Sequence, residues 1–452
     1  MPSAARSALA PLYLLACLIL GGSAQGIWGN MLLQLAGVAI IAWAAAAPVD
    51  APPPRAAKAL LLLAIVAIVV VALQAVPLPP TLWAQGPRAR IAEGYQLLGM
   101  PVPALPTSLT PYASFGALLR LIPPLALFCA IVRLNTYRAR WLAAALIAGS
   151  IAGIVIGVLQ VVSAGSNTPW YLYRETNVGV AADFFANADH MADLLLVAIP
   201  FVAAIASAGK GGNIQRYSAQ FFVLVAIGLV LLAGISMTGS LAGYALAVPV
   251  VAASALIVLQ PTNRSRNWIA GLAAFSVIVC LAGLANSSTD ATRIGQNPGG
   301  SVQSREQILA TTGRAIRDFM PLGSGLGSFV KVYRLYESPD AVTNEYVIHA
   351  HNDYVELALE LGVPGILLLL LFLVWWLVQC FAVWRKGEGG PWARAASIAS
   401  AAILLHSLVD FPLRTTAIST CFAMCLALLS DRRMPARWEK SDLRPTRHVV
   451  IG

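Results

Sequence analysis

Charge is what this sequence has least of. Asp, Glu, Lys and Arg make up only 11% of its 452 residues, against 58% hydrophobic residues and a mean hydropathy of +0.74. No soluble core absorbs that much apolar surface, so the composition excludes a water-soluble globular protein and indicates an integral membrane protein. Cysteine is scarce as well. All six (Cys17, Cys129, Cys280, Cys380, Cys421 and Cys425) fall inside apolar runs, which excludes a disulfide framework and a thiolate metal site. Charge is also absent from the centre of every apolar run, where an ion-coupled transporter usually keeps its ionisable groups. There is no internal repeat.

What is present is a series of apolar runs, each close to the ~20 residues that cross a bilayer. They fall at about 9–24, 30–47, 59–76, 116–132, 141–162, 190–208, 220–238, 241–260, 268–284, 362–382, 394–408 and 414–430. The expected fold is an all-α polytopic membrane protein of about 12 transmembrane helices. Residues 1–284 carry nine spans, with loops at 77–115 and 163–189; 285–361 form one large, partly helical loop; 362–430 carry three more spans; and 431–452 are a basic tail. The first run ends in Gly22-Ser23-Ala24, which imitates a signal-peptide cleavage site, but an uncleaved span is expected. The proline-rich loop 77–115 is expected to be irregular.

The net charge of +10 could suggest a nucleic-acid partner, but its distribution argues against one. Alternate loops divide into two sets. One set, including Arg133, Arg138, Arg140, Arg264, Arg266, Arg385, Lys386 and the tail, is strongly basic. The other is slightly acidic. By the positive-inside rule the basic set and both termini face the cytoplasm. The remaining polar groups collect on the exported side, which favours chemistry at the outer face over a path through the membrane.

Four exported stretches carry candidate chemistry. In Tyr346 to Gly365, His349 and His351 precede a helix start, with Asp353 as expected N-cap and Glu356 completing an acidic capping box. A neutral imidazole there is a candidate general base; the alternative is that both rings only bond loop backbone. Upstream, Gln303 to Met320 has helical periodicity, and Ile308, Leu309, Thr312, Ile316 and Phe319 share a face with Arg305. A guanidinium on a buried stripe requires an anion, either an internal one (Glu306, Glu345 or Glu356) or a bound phosphate. Pro321 to Phe329 has three glycines at spacing two, read as a loop of close backbone approach in preference to a nucleotide cradle. Asp189, His190 and Asp193 open one span, where capping or a metal are both conceivable. His406 to Arg414 places another His, Asp and Arg on the same side; Ser407 is no hydrolase nucleophile, because no glycine elbow flanks it. Trp170, Tyr171, Tyr173 and Arg174 form an aromatic and cationic cluster suited to headgroups or sugars.

Together these blocks resemble a known family. His349-Ala-His-Asn-Asp-Tyr354 followed by Glu360-Leu-Gly-Val-Pro-Gly365 is similar to the histidine motif of the O-antigen ligase and polymerase superfamily. Arg305, an apolar helix and Pro321 to Phe329 follow the family's spacing, with weaker echoes in Ser108 to Pro111, Asn187 to His190 and His406 to Arg414. The resemblance implies a glycosyltransferase of the bacterial inner membrane with its large loop and active site in the periplasm. It implies a glycan donor on undecaprenyl pyrophosphate, an acceptor on lipid A-core or another glycan, no cofactor, no metal and no nucleotide sugar. It assigns His351 as base, with His349 in reserve, and Arg305 to the donor pyrophosphate, with Asn352 beside them. The family's tight-turn arginine is absent: the turn reads Ser240-Leu-Ala-Gly243, so Arg174 or Arg414 would have to substitute. A chain polymerase and a polysaccharide exporter remain as alternatives.

Overall fold

The computed structural model describes residues 4–24, 26–48, 52–163, 168–209, 214–259, 271, 305–339, 342 and 346–431, the side chains of 214–218 excepted. The expected run at 268–284 and most of the basic tail lie outside the described residues.

The protein is an all-α polytopic membrane protein. Its main helices are α1 (Ala4–Leu20), α2 (Ile27–Ala46), α3 (Arg55–Gln74), α4 (Pro111–Arg120), α5 (Ile122–Val132), α6 (Ala139–Val162), α7 (Ala188–Ala208), α8 (Ile214–Ser236), α9 (Leu241–Leu259), α10 (Arg305–Phe319), α11 (Phe329–Tyr336), α12 (Asp353–Arg385), α13 (Gly390–His406) and α14 (Thr416–Ser430). Among the described residues, eight helical stretches are long and apolar enough to cross a membrane, with α1 and α14 as shorter apolar helices.

Burial separates the central helix from the lipid-facing ones. The apolar window of α7 is 78% buried, against 11% for α3. α7 packs on α6, α8, α9 and α13, so polar groups at its first turn are held at the middle of the bundle end. α1 is part of that core: Leu14, Cys17 and Leu18 are fully buried against neighbouring helices, and Gly21 and Gly22 approach Thr416 and Phe184 too closely for any side chain.

The loops of the less basic set meet at one end of the bundle. The turn at 21–26, the loop at 77–110, residues 177–190, the turn at 237–241 and the segments 321–329 and 349–363 all join there. Arg6 and Arg133, of the basic set, bond Leu134 and Ala47 carbonyls at the other end.

The loop 77–115 is more ordered than its prolines suggest. It closes through a two-residue antiparallel pairing, Pro77 opposite Pro106 and Leu78 opposite Leu105. Trp83 Nε1 donates to the Pro103 carbonyl at 3.0 Å. The buried Arg88 guanidinium donates to the carbonyls of Thr107 and Gly323, tying the loop to the external cap. The cap has its own small core of Ile308, Ala315, Phe319, Phe329, Val332, Tyr333, Ala350 and Leu359.

Candidate active site at one end of the bundle

α12 begins at the histidine stretch, and its cap differs from the expected one. Asn352, not Asp353, is the N-cap: its Oδ1 accepts from the N–H groups of Tyr354 and Val355, both at 3.0 Å, and its Nδ2 donates to Leu408 O at 2.8 Å. Both ends of the Asn352 amide are therefore spent on backbone. Asp353 turns inward, accepting from Ser407 Oγ at 3.0 Å and pairing with Arg414 Nε at 3.3 Å.

Arg414 sits among three carboxylates. Its Nη1 lies 3.3 Å from Glu356 Oε1 and 3.1 Å from Glu360 Oε2, and its Nε reaches Asp353. Burial alone would lower its pKa, but Glu356, Glu360 and Asp353 outweigh this and raise it. The guanidinium is the electrostatic centre of the joint between α12 and the segment after α13.

Each histidine of the pair has a carboxylate of its own. His349 Nδ1 is 3.0 Å from Glu356 Oε1, and Glu356 also accepts from the Ala350 N–H at 2.9 Å. His351, with a left-handed φ of 48°, places Nδ1 3.2 Å from Asp410 Oδ1. Burial would raise the Asp410 carboxyl, but the imidazoles of His190 and His351 hold it well below the usual carboxylate range. An ionised Asp410 accepts the Nδ1–H of His351, so the neutral ring keeps its lone pair on Nε2, pointing away from Asp410. The His351 side chain is 31% exposed, so that lone pair is within reach of a ligand.

The first turn of α7 supplies the other wall. Asn187 is its N-cap, accepting from Asp189 N at 3.0 Å. His190 Nε2 lies 3.3 Å from Asp410 Oδ2, at ion-pair distance though off the line of a hydrogen bond. Phe411 packs against all three imidazoles, with centroid distances of 4.2 Å to His349, 5.1 Å to His351 and 5.2 Å to His190. Asp193, one turn further, pairs with the buried His406 at 2.8 Å. Asp189 pairs with Arg305 at 3.8 Å. The acids and histidine grouped by the sequence thus divide among three partners instead of converging on one point.

Arg305 is the first residue of α10 and is not on its buried stripe. That stripe is Ile308, Thr311, Thr312, Ala315 and Phe319, and the Arg305 side chain is 38% exposed. Its acidic neighbour among the described residues is Asp189, not Glu306 or Glu356; Glu345 lies outside the described residues. Arg174 lies exposed on the 168–187 segment. The turn holding Leu241 packs on α7: a Cβ on Gly243 would come 2.7 Å from that of Ala192.

The glycine-rich segment is a backbone joint. Pro364 has no N–H, which frees the Glu360 carbonyl, and Val363 N–H bonds Pro321 O at 2.8 Å instead of Leu359 O. Ser324 and Gly325 donate to the freed Leu359 and Glu360 carbonyls, both at 2.9 Å. Gln74 completes the joint from α3, donating to the Leu322 and Glu360 carbonyls. Gly362 permits this with φ 59° and ψ −146°, where α12 kinks. Gly323, Gly325 and Gly327 all have positive φ and lie against neighbouring atoms. No room is left there for a phosphate.

The pairings of Asp410 with His351 and His190, and of Arg305 with Asp189, span loops far apart in sequence. The one available signal was that all these groups sit at span ends of the same polarity. Residues 226–370 match the family model described as O-antigen ligase; Arg305, the glycine joint and both histidines fall inside this match, while His190, Asp410 and Arg414 fall outside it. No curated protein matches the chain.

Proposed function

The chain carries an O-antigen ligase segment at residues 226–370, and from that premise we propose that it transfers a glycan between lipid-linked and acceptor sugars at the outer face of the bacterial inner membrane. The donor in this reading is a glycan on undecaprenyl pyrophosphate. The acceptor is a hydroxyl on lipid A-core or on another glycan, the second case being repeat-unit polymerisation. His351 Nε2 takes the proton of the acceptor hydroxyl. The acceptor oxygen bonds the anomeric carbon, the bond from that carbon to the pyrophosphate oxygen breaks, and lipid pyrophosphate leaves.

Arg305 binds the departing pyrophosphate. A half-exposed pair at 3.8 Å is weakly held, so an incoming dianion can take the guanidinium from Asp189. Arg414 is already neutralised by three carboxylates and serves the frame of the site. Exposed Arg174 is the second donor-binding candidate in place of the arginine missing at Leu241. His349, bound to Glu356, is a second imidazole beside the acceptor side of the site.

The observation that carries this reading is the first turn of α7. Two consecutive residues there, Asp189 and His190, link Arg305 on one side to Asp410 and His351 on the other. A base and an anion-binding group are thereby joined across three separate loops. A positioned base contributes ~10²- to 10⁴-fold in rate. The test is to replace His351 and Arg305 singly with Ala in the native host and run envelope glycans on a gel. Loss of long glycan with normal membrane insertion is expected. Normal chain length and anchoring in both variants would overturn the proposal. Deleting the whole gene separates the two acceptors, since chains capped at one repeat indicate polymerisation.

A further inference from the structure

We propose that His190 is a positioning residue that divides the charge of Asp410 with His351 and so sets the proton affinity and aim of the base. The inference rests on His351 being that base.

Asp410 is buried, and its two oxygens face different partners. Oδ1 meets His351 Nδ1 at 3.2 Å; Oδ2 meets His190 Nε2 at 3.3 Å and Asn187 Nδ2 at 3.4 Å. His190 is only 2% exposed, and its position is over-determined. It lies edge-on to Phe411 (87° between rings) and to Phe185 (75°), at the start of α7, the most buried of the membrane-length helices among the described residues. Among the described residues neither ring nitrogen makes a hydrogen bond; the carboxylate at ion-pair distance from this buried ring is Asp410, with Asp193 adding a weaker electrostatic contact. Burial of a polar group without a hydrogen bond is costly, which marks the contact as more than packing.

The other ionisable groups around Asp410 are Asp189 and Asp193 on α7, His406 at the end of α13, and His349 with Glu356 at the start of α12. Asp193 is matched by His406, Glu356 by His349 and Arg414, and Asp189 by Arg305. Asp410 has a different imidazole within ion-pair distance of each of its two oxygens, and the protons on those rings are coupled through it.

The sign of the effect follows. With His190 removed, the whole Asp410 charge acts on His351, favouring the protonated ring, so its free lone pair should survive only at higher pH. With Asp410→Asn the carboxylate is gone and the effect reverses.

Diethyl pyrocarbonate acylates only the neutral imidazole, so the pH midpoint of His351 modification, read by tandem mass spectrometry on the full-length protein in detergent, measures this without any substrate. His190→Phe, which keeps a ring in the aromatic nest, should move that midpoint up by about one unit. Asp410→Asn should move it down, and His190→Gln, whose amide N–H can offset part of the Oδ2 charge, should stay closer to the parent than the Phe variant. His190→Leu replaces the Phe variant if the latter fails to accumulate. Glycan transfer by the Phe variant should fall ~10-fold at neutral pH and recover in more alkaline medium.

A residue that only packs would lower transfer equally at all pH values and leave the midpoint in place. An unmoved midpoint in His190→Phe or His190→Leu overturns the proposal whatever the activity. Undiminished transfer by His351→Ala would instead overturn the base assignment and leave the midpoint measurement standing.

Discussion

Gly325 and Ser108 touch so closely that a Cβ on the glycine would come within 2.2 Å of the serine hydroxyl oxygen. They belong to different loops, and the φ of Gly325 is 105°. Gly325→Ala therefore carries both a backbone penalty of ~1–3 kcal/mol and a steric one. Its thermal midpoint in detergent should drop by several degrees. Gly313, within α10, has nothing among the described residues within 4 Å of an added Cβ and provides the contrast: Gly313→Ala should be neutral or stabilise by up to ~1 kcal/mol. Equal behaviour of the two variants would remove the joint from the account.

Arg414→Ala leaves Asp353, Glu356 and Glu360 buried without their shared cation. Removing one partner of a buried ion cluster costs ~3–5 kcal/mol. The variant should unfold well below the parent, and folded yield in detergent reads this directly. If Arg414→Ala is as stable as the parent but loses activity, the guanidinium belongs to the substrate and not to the frame.

Asp410 links activity to acidity. Its carboxyl is held below the ordinary value of 3.8, so it contributes stability that is present above that value and is lost as pH falls through the folded one. Asp410→Asn should flatten this acid limb of the stability profile and lower glycan transfer by ~10²- to 10⁴-fold. Melting temperatures recorded from neutral to acid pH distinguish the two proteins.

Asp183 behaves in the opposite sense. It is fully buried, its Oδ2 has no hydrogen-bond partner among the described residues, and it lies against Gly153 of α6. Burial pushes its carboxyl well above the ordinary 3.8, despite the bond it accepts from the Phe184 N–H. Its contribution to stability is complete below that value and falls as pH rises through the folded one. Asp183→Asn should be as stable as the parent in acid and more stable near neutrality. A stability–pH slope unchanged by the substitution would contradict this.

The fold class was legible in the sequence because apolar runs of bilayer length have no soluble alternative. The glycine segment was also legible as a site of close approach, since Gly323, Gly325 and Gly327 at spacing two give neither a strand nor a phosphate loop. The cap of α12 was misread because Asn352 and Asp353 are both good caps by type, and only the carboxylate's pull toward Arg414 decides between them. Arg305 was placed on a buried stripe by helical periodicity, which sets direction around a helix and cannot show how far along it the covering partners extend. The partners of Asp410 were not legible at all: His351 lies 59 positions away and His190 lies 220. Nothing local records a contact between separate loops.

The kink at Gly362 has one further consequence. The helix that opens beside His351 is the one that continues into lipid as far as Arg385, and the glycine segment is bonded to the carbonyls exposed at the bend. From Asp353 to the bend is roughly 13 Å of helix. The imidazoles therefore ride at a set altitude above the apolar slab, at the level where the head group of a membrane lipid lies when it stays in its leaflet.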